Sequence, residues 1–245
     1  MRILLTLLCL AVTPLTQAAP ANVEDLAAAF ELSGVRLLCD QTLPLMERGL
    51  DARQKAQVDK LFGADKLCDD LANKLSTQID SEQLEQARQL LGSPLAKRFT
   101  QAERAVAVDG AEQLADYRKK LAERAPRSSR LDLVKRLDSA ARTTQMATLL
   151  RYESGKTQAL IALKGRGESL DEQGLSAKTA EHRQVLHDSS QQAVESYMLF
   201  AYRRIPSDQL EQYAALYEQP AVKQLLDSAM RALPELFAQR RAQLP

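Results

Sequence analysis

Few residues in this chain are placed to do chemistry. His182 and His187 are the only histidines, and on one helix a separation of five turns them roughly 140° apart. Chelation from a helix uses spacings of three or four, so this pair makes a poor bidentate metal site even with Glu181 and Asp188 beside it. With no further histidine and no free cysteine in prospect, a Ser–His or Cys–His nucleophile has little to draw on. Asp69 and Asp70 are adjacent and point about 100° apart on a helix, a poor geometry for paired acid–base work. Gly165-Arg166-Gly167 follows no strand-like segment and is not a phosphate loop. The expectation is therefore no catalytic set, no metal and no cofactor.

The aromatic residues are less evenly spread. Tyr197, Phe200, Tyr202, Tyr213, Tyr217 and Phe237 all fall in the last 49 residues. At helical spacing they read either as core or as a groove for a ligand or partner, since tyrosine joins apolar area to a polar tip. Two function classes follow. The first is a non-enzymatic interaction, scaffold or chaperone-like role with an unknown protein partner. The alternative is a binder of a small or lipidic ligand between two helical halves. A filled inter-helix core would favour the first, and an apolar cavity lined by the tyrosines the second.

The N-terminus sets the compartment. Met1-Arg2 is a short positive start, Ile3–Val12 an apolar run, and Thr16-Gln17-Ala18 offers small residues at the positions read by a signal peptidase. Residues 1–18 are expected to be a cleavable secretory signal, too short for a transmembrane span, which makes the protein periplasmic with no anchor after cleavage. Removing Arg2 leaves 32 basic and 32 acidic residues. This balance, without long blocks of one sign, gives no nucleic-acid footprint. Cys9 leaves with the signal, so Cys39 and Cys68 are expected to form one structural disulfide in an oxidising compartment.

The elements that must position these residues are helical. Leucine, alanine, glutamine, arginine and glutamate dominate, valine and isoleucine together number 14, and tryptophan does not occur. The composition predicts an all-α multi-helix array with no sheet. A repeat organises it: Ser81-Glu-Gln-Leu-Glu-Gln…Pro94 returns as Ser207-Asp-Gln-Leu-Glu-Gln…Pro220, with eight identities in nineteen ungapped positions. Residues 19–126 form the expected first repeat, bearing the disulfide. Residues 127–245 form the second, with an insertion near 155–175 that should bulge outward as a loop. Ser81 and Ser207 read as N-caps, Leu84 and Leu210 as core positions, and Pro94 and Pro220 as corners that open the next helix.

The spacing predicts helices near 23–33, 35–50, 53–62, 65–79, 129–141, 143–163 and 176–205. It also predicts a long helix from Pro94 to about Arg124, with Gly110 at a close approach or slight kink. Mapping Cys39 and Cys68 through the repeat gives Met146 and Val194, which should then lie side by side on neighbouring helices.

The duplicated motif behind a signal peptide resembles a family of small secreted bacterial proteins known as domain of unknown function 2059. Tyr197–Tyr202, Ser207-Asp208-Gln209-Leu210, Leu216-Tyr217 and Pro220 carry the resemblance in the second half, and Ser81-Glu82-Gln83-Leu84 with Ser93-Pro94 in the first. Ala96 and Val222 stand where that family's corner has glycine. The resemblance implies an all-helical envelope protein and brings no catalytic residues.

Overall fold

Apolar residues at steps of three and four bury one side of each segment, as at Leu26, Ala29 and Phe30 in the first helix. The computed structural model describes residues 19–244, which carry thirteen α-helices, no sheet and one isolated bridge pairing Pro20 with Asp80. The first half contains α1 (Val23–Ser33), α2 (Val35–Met46), α3 (Ala52–Phe62), α4 (Ala64–Ser76), α5 (Ser81–Leu91), α6 (Pro94–Asp109) and α7 (Ala111–Glu123). The second contains α8 (Ser128–Ala141), α9 (Thr143–Gly165), α10 (Glu172–Thr179), α11 (His182–Ala201), α12 (Ser207–Tyr217) and α13 (Pro220–Arg241).

The same neighbour relations occur in both halves. Helix α1 packs on α2, α4 and α5, while α8 packs on α9, α11 and α12. The helices that follow each proline corner cross over. Helix α13 lies against α4 and α5 of the first half, and α6 reaches α11 and α12 of the second. Helix α9 is buried on every side. Three of its buried hydroxyls are satisfied by their own helix: Thr148 donates to the Thr144 carbonyl (2.7 Å), Ser154 to Leu150 (2.7 Å) and Thr157 to Glu153 (2.9 Å).

Two adjacent arginines at the end of α13 fasten the halves. Arg240 donates to the Leu61 and Lys66 carbonyls and to Asp70 Oδ2, each at 2.6 Å, and so ties the C-terminus to α3 and α4. Arg241 turns the other way and joins Glu153 of α9 (2.6 Å) and Glu172 of α10 (2.7 Å). Lys156 completes this second group by pairing with Glu172.

Four expectations need correction. The helix expected near 176–205 is split, with α10 ending at Thr179 and α11 running His182–Ala201. The helix from Pro94 does not run to Arg124; it stops at Asp109 and restarts at Ala111. Gly110 permits that corner, because a Cβ there would sit 2.6 Å from Val106 Cα. Ser81 and Ser207 are first helical residues rather than caps. The cap of α5 is Asp80, whose side chain accepts from the Glu82 amide, and the cap position of α12 is Pro206. The 155–175 segment loops outward only over its exposed stretch 166–171. Its first part completes α9, and α10 folds back to pack on α9, because Glu172 is drawn in by Arg241 and Lys156. The expected signal at residues 1–18 lies outside the described residues.

Candidate functional site

The tyrosines are brought together by the turn between α11 and α12. Tyr197 and Tyr202 come from the last turns of α11, and Tyr213 and Tyr217 from one face of α12 at a spacing of four. These four line a cavity of about 940 Å³, within the size range of small-molecule sites. Its walls come from both halves: α2 and the α6–α7 corner on one side, and α8, α9, α11 and α12 on the other. Phe200 and Phe237 are placed elsewhere. Phe200 packs on Tyr117 (5.4 Å between centroids), and Phe237 packs on Phe62 (5.6 Å).

The aromatic floor is ordered by Phe99 of α6. Its ring stacks on Tyr213 (3.9 Å, 15°) and meets Tyr202 edge-on (5.0 Å), favourable arrangements for aromatic pairs. The Tyr213 and Tyr217 hydroxyls lie 3.2 Å apart in a hydrogen bond. Glu103 organises the other two tyrosines: Tyr202 donates to its Oε1 and Tyr197 donates to its main-chain carbonyl (3.1 Å). Burial of the Glu103 carboxyl pushes its pKa up, against the lowering effects of the Tyr202 hydrogen bond and the Arg104 charge. Burial likewise raises Tyr197, Tyr202, Tyr213 and Tyr217, helped in each case by the nearby Glu103 charge. All four phenols are therefore neutral hydrogen-bonding groups at neutral pH.

The remaining walls are mostly apolar, with Val35, Leu38, Leu114, Met146, Leu150 and Met198 among them. Three arginines, Arg48, Arg118 and Arg151, stand along the same cavity. Arg118 Nε donates to Ser196 Oγ (2.9 Å), and one terminal nitrogen of Arg151 donates to Ser189 and Ser190 Oγ (2.8 Å each). A smaller cavity of about 390 Å³ adjoins it, sharing Leu45, Arg48 and Arg151, and includes Lys156, Thr179 and His182 in its lining. His182 is exposed and His187 half-buried.

Cys39 on α2 and Cys68 on α4 sit at disulfide distance, with Cα atoms 6.4 Å apart, both buried. They tie the α2 wall to the helix behind it. Met146 and Val194 stand on the contacting helices α9 and α11 and line the same cavity. The motif residues Leu84 and Leu210 are core, and Pro94 and Pro220 each open a helix.

Sequence reasoning missed Phe99's stacking role, Glu103 and the three arginines. Glu103 did leave a signal. It lies four residues after Phe99 and three before Val106, an acid on the apolar stripe of its helix. The arginines left none, because they belong to three separate segments, the turn after α2, α7 and α9, among many other basic residues.

This arrangement can enclose an apolar body, offer it neutral hydrogen-bond groups at the floor and meet a charged group at the edge. No protein-family model, curated protein sequence or solved structure matches the chain, and the site is read from its own geometry.

Proposed function

We propose that this protein is a non-enzymatic binder of an apolar or amphipathic small molecule, held in the tyrosine-floored cavity between its two halves. The observation that carries this reading is the cavity itself, about 940 Å³ with both halves in its walls. A filled inter-helix core would have spoken for a purely scaffolding or chaperone-like protein. The raised phenol pKa values support binding over acid–base chemistry, since neutral tyrosines orient a ligand without exchanging protons at neutral pH.

We place the activity in the periplasm, on the strength of the Met1–Ala18 segment and the Cys39–Cys68 pair. The two halves are read as a duplicated unit, supported by the Ser81 and Ser207 motifs and the recurring neighbour relations. Kinship with the family of domain of unknown function 2059 belongs to the same proposal and rests on those motifs.

The test is saturable binding of a neutral polarity-sensitive dye, N-phenyl-1-naphthylamine, followed by fluorescence. One-to-one binding is expected, and it should be weakened in Ala193→Trp, which places an indole at the cavity's exposed rim, while far-UV circular dichroism stays unchanged. Undiminished binding by a folded Ala193→Trp protein, or no saturable binding by the parent, would overturn the reading.

A further inference from the structure

We infer that the ligand is a single-chain anionic amphiphile, its hydrocarbon tail in the larger cavity and its acidic head at the Arg48–Arg151 junction between the two cavities. This rests on the cavity-binding reading above and adds the class of ligand.

A guanidinium carries five donors. Arg151 uses one terminal nitrogen to hold Ser189, Ser190 and the Leu186 carbonyl. Among the described residues its Nε and other terminal nitrogen make no hydrogen bond. Arg48 makes no side-chain hydrogen bond or ion pair among them, and Arg118 uses only Nε, on Ser196. No carboxylate of the described residues pairs with any of the three.

The two acids that line the larger cavity, Asp40 and Glu103, are already committed, and none of the described residues lining the smaller cavity is acidic. Asp40 is paired with Arg36 at 3.1 Å. Glu103 accepts from Tyr202, and burial favours its neutral form. In the smaller cavity, Lys156 is paired with Glu172. The charge left facing the junction is therefore positive.

Position selects the head-group site. Arg48 and Arg151 line both cavities, so they stand where the two chambers meet. In the smaller chamber Ser154, Gln158 and Thr179 spend their donors on main-chain carbonyls, which leaves the two arginines and His182 to meet a head group. The larger one offers leucine, valine and methionine side chains to a chain of methylenes. An oxyanion on two guanidiniums gains charge-assisted, geometrically fixed hydrogen bonds that an alcohol or a cation does not.

The experiment compares decanoate, decanol, decyltrimethylammonium and acetate as displacers of N-phenyl-1-naphthylamine from the purified protein. Decanoate is expected to half-displace the dye at a concentration about tenfold below decanol, with the ammonium weaker than decanol and acetate without effect. In Arg48→Gln/Arg151→Gln the acid should fall to within about twofold of the alcohol, while decanol itself is unchanged. Arg48→Gln alone removes an exposed side chain and no hydrogen bond, so it keeps the test available should the double variant fail to fold; it should lose part of the preference. Equal potency of decanoate and decanol on the parent overturns this inference and leaves the cavity reading standing. An acid preference that survives in both variants overturns it too. Failure of every alkyl probe to displace the dye removes the cavity reading and this inference together.

Discussion

Two residues apart on α9, Arg151 and Glu153 face nearly opposite sides of the helix, and their surroundings use charge in opposite ways. On the Glu153 side every charge is answered. Arg241, 2 % exposed, binds Glu153 and Glu172, and Lys156 binds Glu172, so two cations meet two anions, with Glu172 at the exposed edge of the group. On the Arg151 side the guanidinium meets only serine hydroxyls and a carbonyl, and much of its donor capacity faces a cavity. The same residue type builds structure where carboxylates surround it and presents a binding edge where they do not. Local partners, rather than residue identity, separate the two roles.

The largest effect should appear on the closed side. Removing Arg241 leaves the buried Glu153 carboxylate with only Lys156, 3.8 Å away, and breaking a buried pair in this way costs roughly 3–5 kcal/mol. Arg241→Ala should therefore lower the unfolding free energy by about that amount, read from the urea midpoint. Arg48→Gln should stay within about 0.5 kcal/mol of the parent, because that side chain is exposed and unbonded. Comparable losses from the two would erase the distinction between a structural and a presenting arginine.

A second effect concerns the wall opposite Arg151. The Cys39–Cys68 pair closes a loop of sequence separation 29 behind α2, and on the chain-entropy model such a bond stabilises by roughly 3.5 kcal/mol. Thiol titration of the denatured, unreduced protein should find no free thiol. Reduction should lower the urea midpoint, by less than loss of Arg241 at the upper end of its range. It should also weaken dye binding, because α2 carries Leu38 and Asp40 on the cavity wall. Two titratable thiols per chain would remove the bond from the account.

How much of this was written in the sequence varies with the range of the interaction. Helix positions come from local spacing, and α1, α3 and α8 fall within a residue or so of where periodicity puts them. The break at Gly110 was less legible. Its seam continues into Leu114 and Tyr117 on either reading, and the crowding against Val106 that makes it a corner is a backbone contact. The helical α10 was hidden for a different reason. Glycines near residues 155–175 suggested a loop, whereas Glu172 is held by residues 16 and 69 positions away. Four of the six singled-out aromatics share the cavity, since the α11–α12 turn is short and local. Phe200 and Phe237 diverge because helical rotation within α11 and the crossover of α13 point them at other helices. The unpaired arginines became visible only when three segments far apart in sequence met.

The smallest effect sets the two regions against each other through pH. Glu172 and Glu103 both start from the ordinary glutamate value of 4.5 and move in opposite directions. Burial would raise Glu172, but the Arg241 and Lys156 hydrogen bonds and charges outweigh it, and the net shift is down. The stability it contributes is present above its unfolded pKa and is lost as pH falls through the lower folded value. Burial dominates at Glu103, whose shift is up. Its contribution is complete below the unfolded pKa and declines as pH rises through the higher folded value. Urea midpoints measured from pH 3 to 8 should therefore show Glu172→Gln flattening the acid limb and Glu103→Gln flattening the limb above pH 4.5. Glu103→Gln keeps an oxygen acceptor for Tyr202, so its dye binding should persist across the range. Two variants that flatten the same limb would show that the tyrosine floor and the Arg241 cluster shift their carboxyls in the same direction.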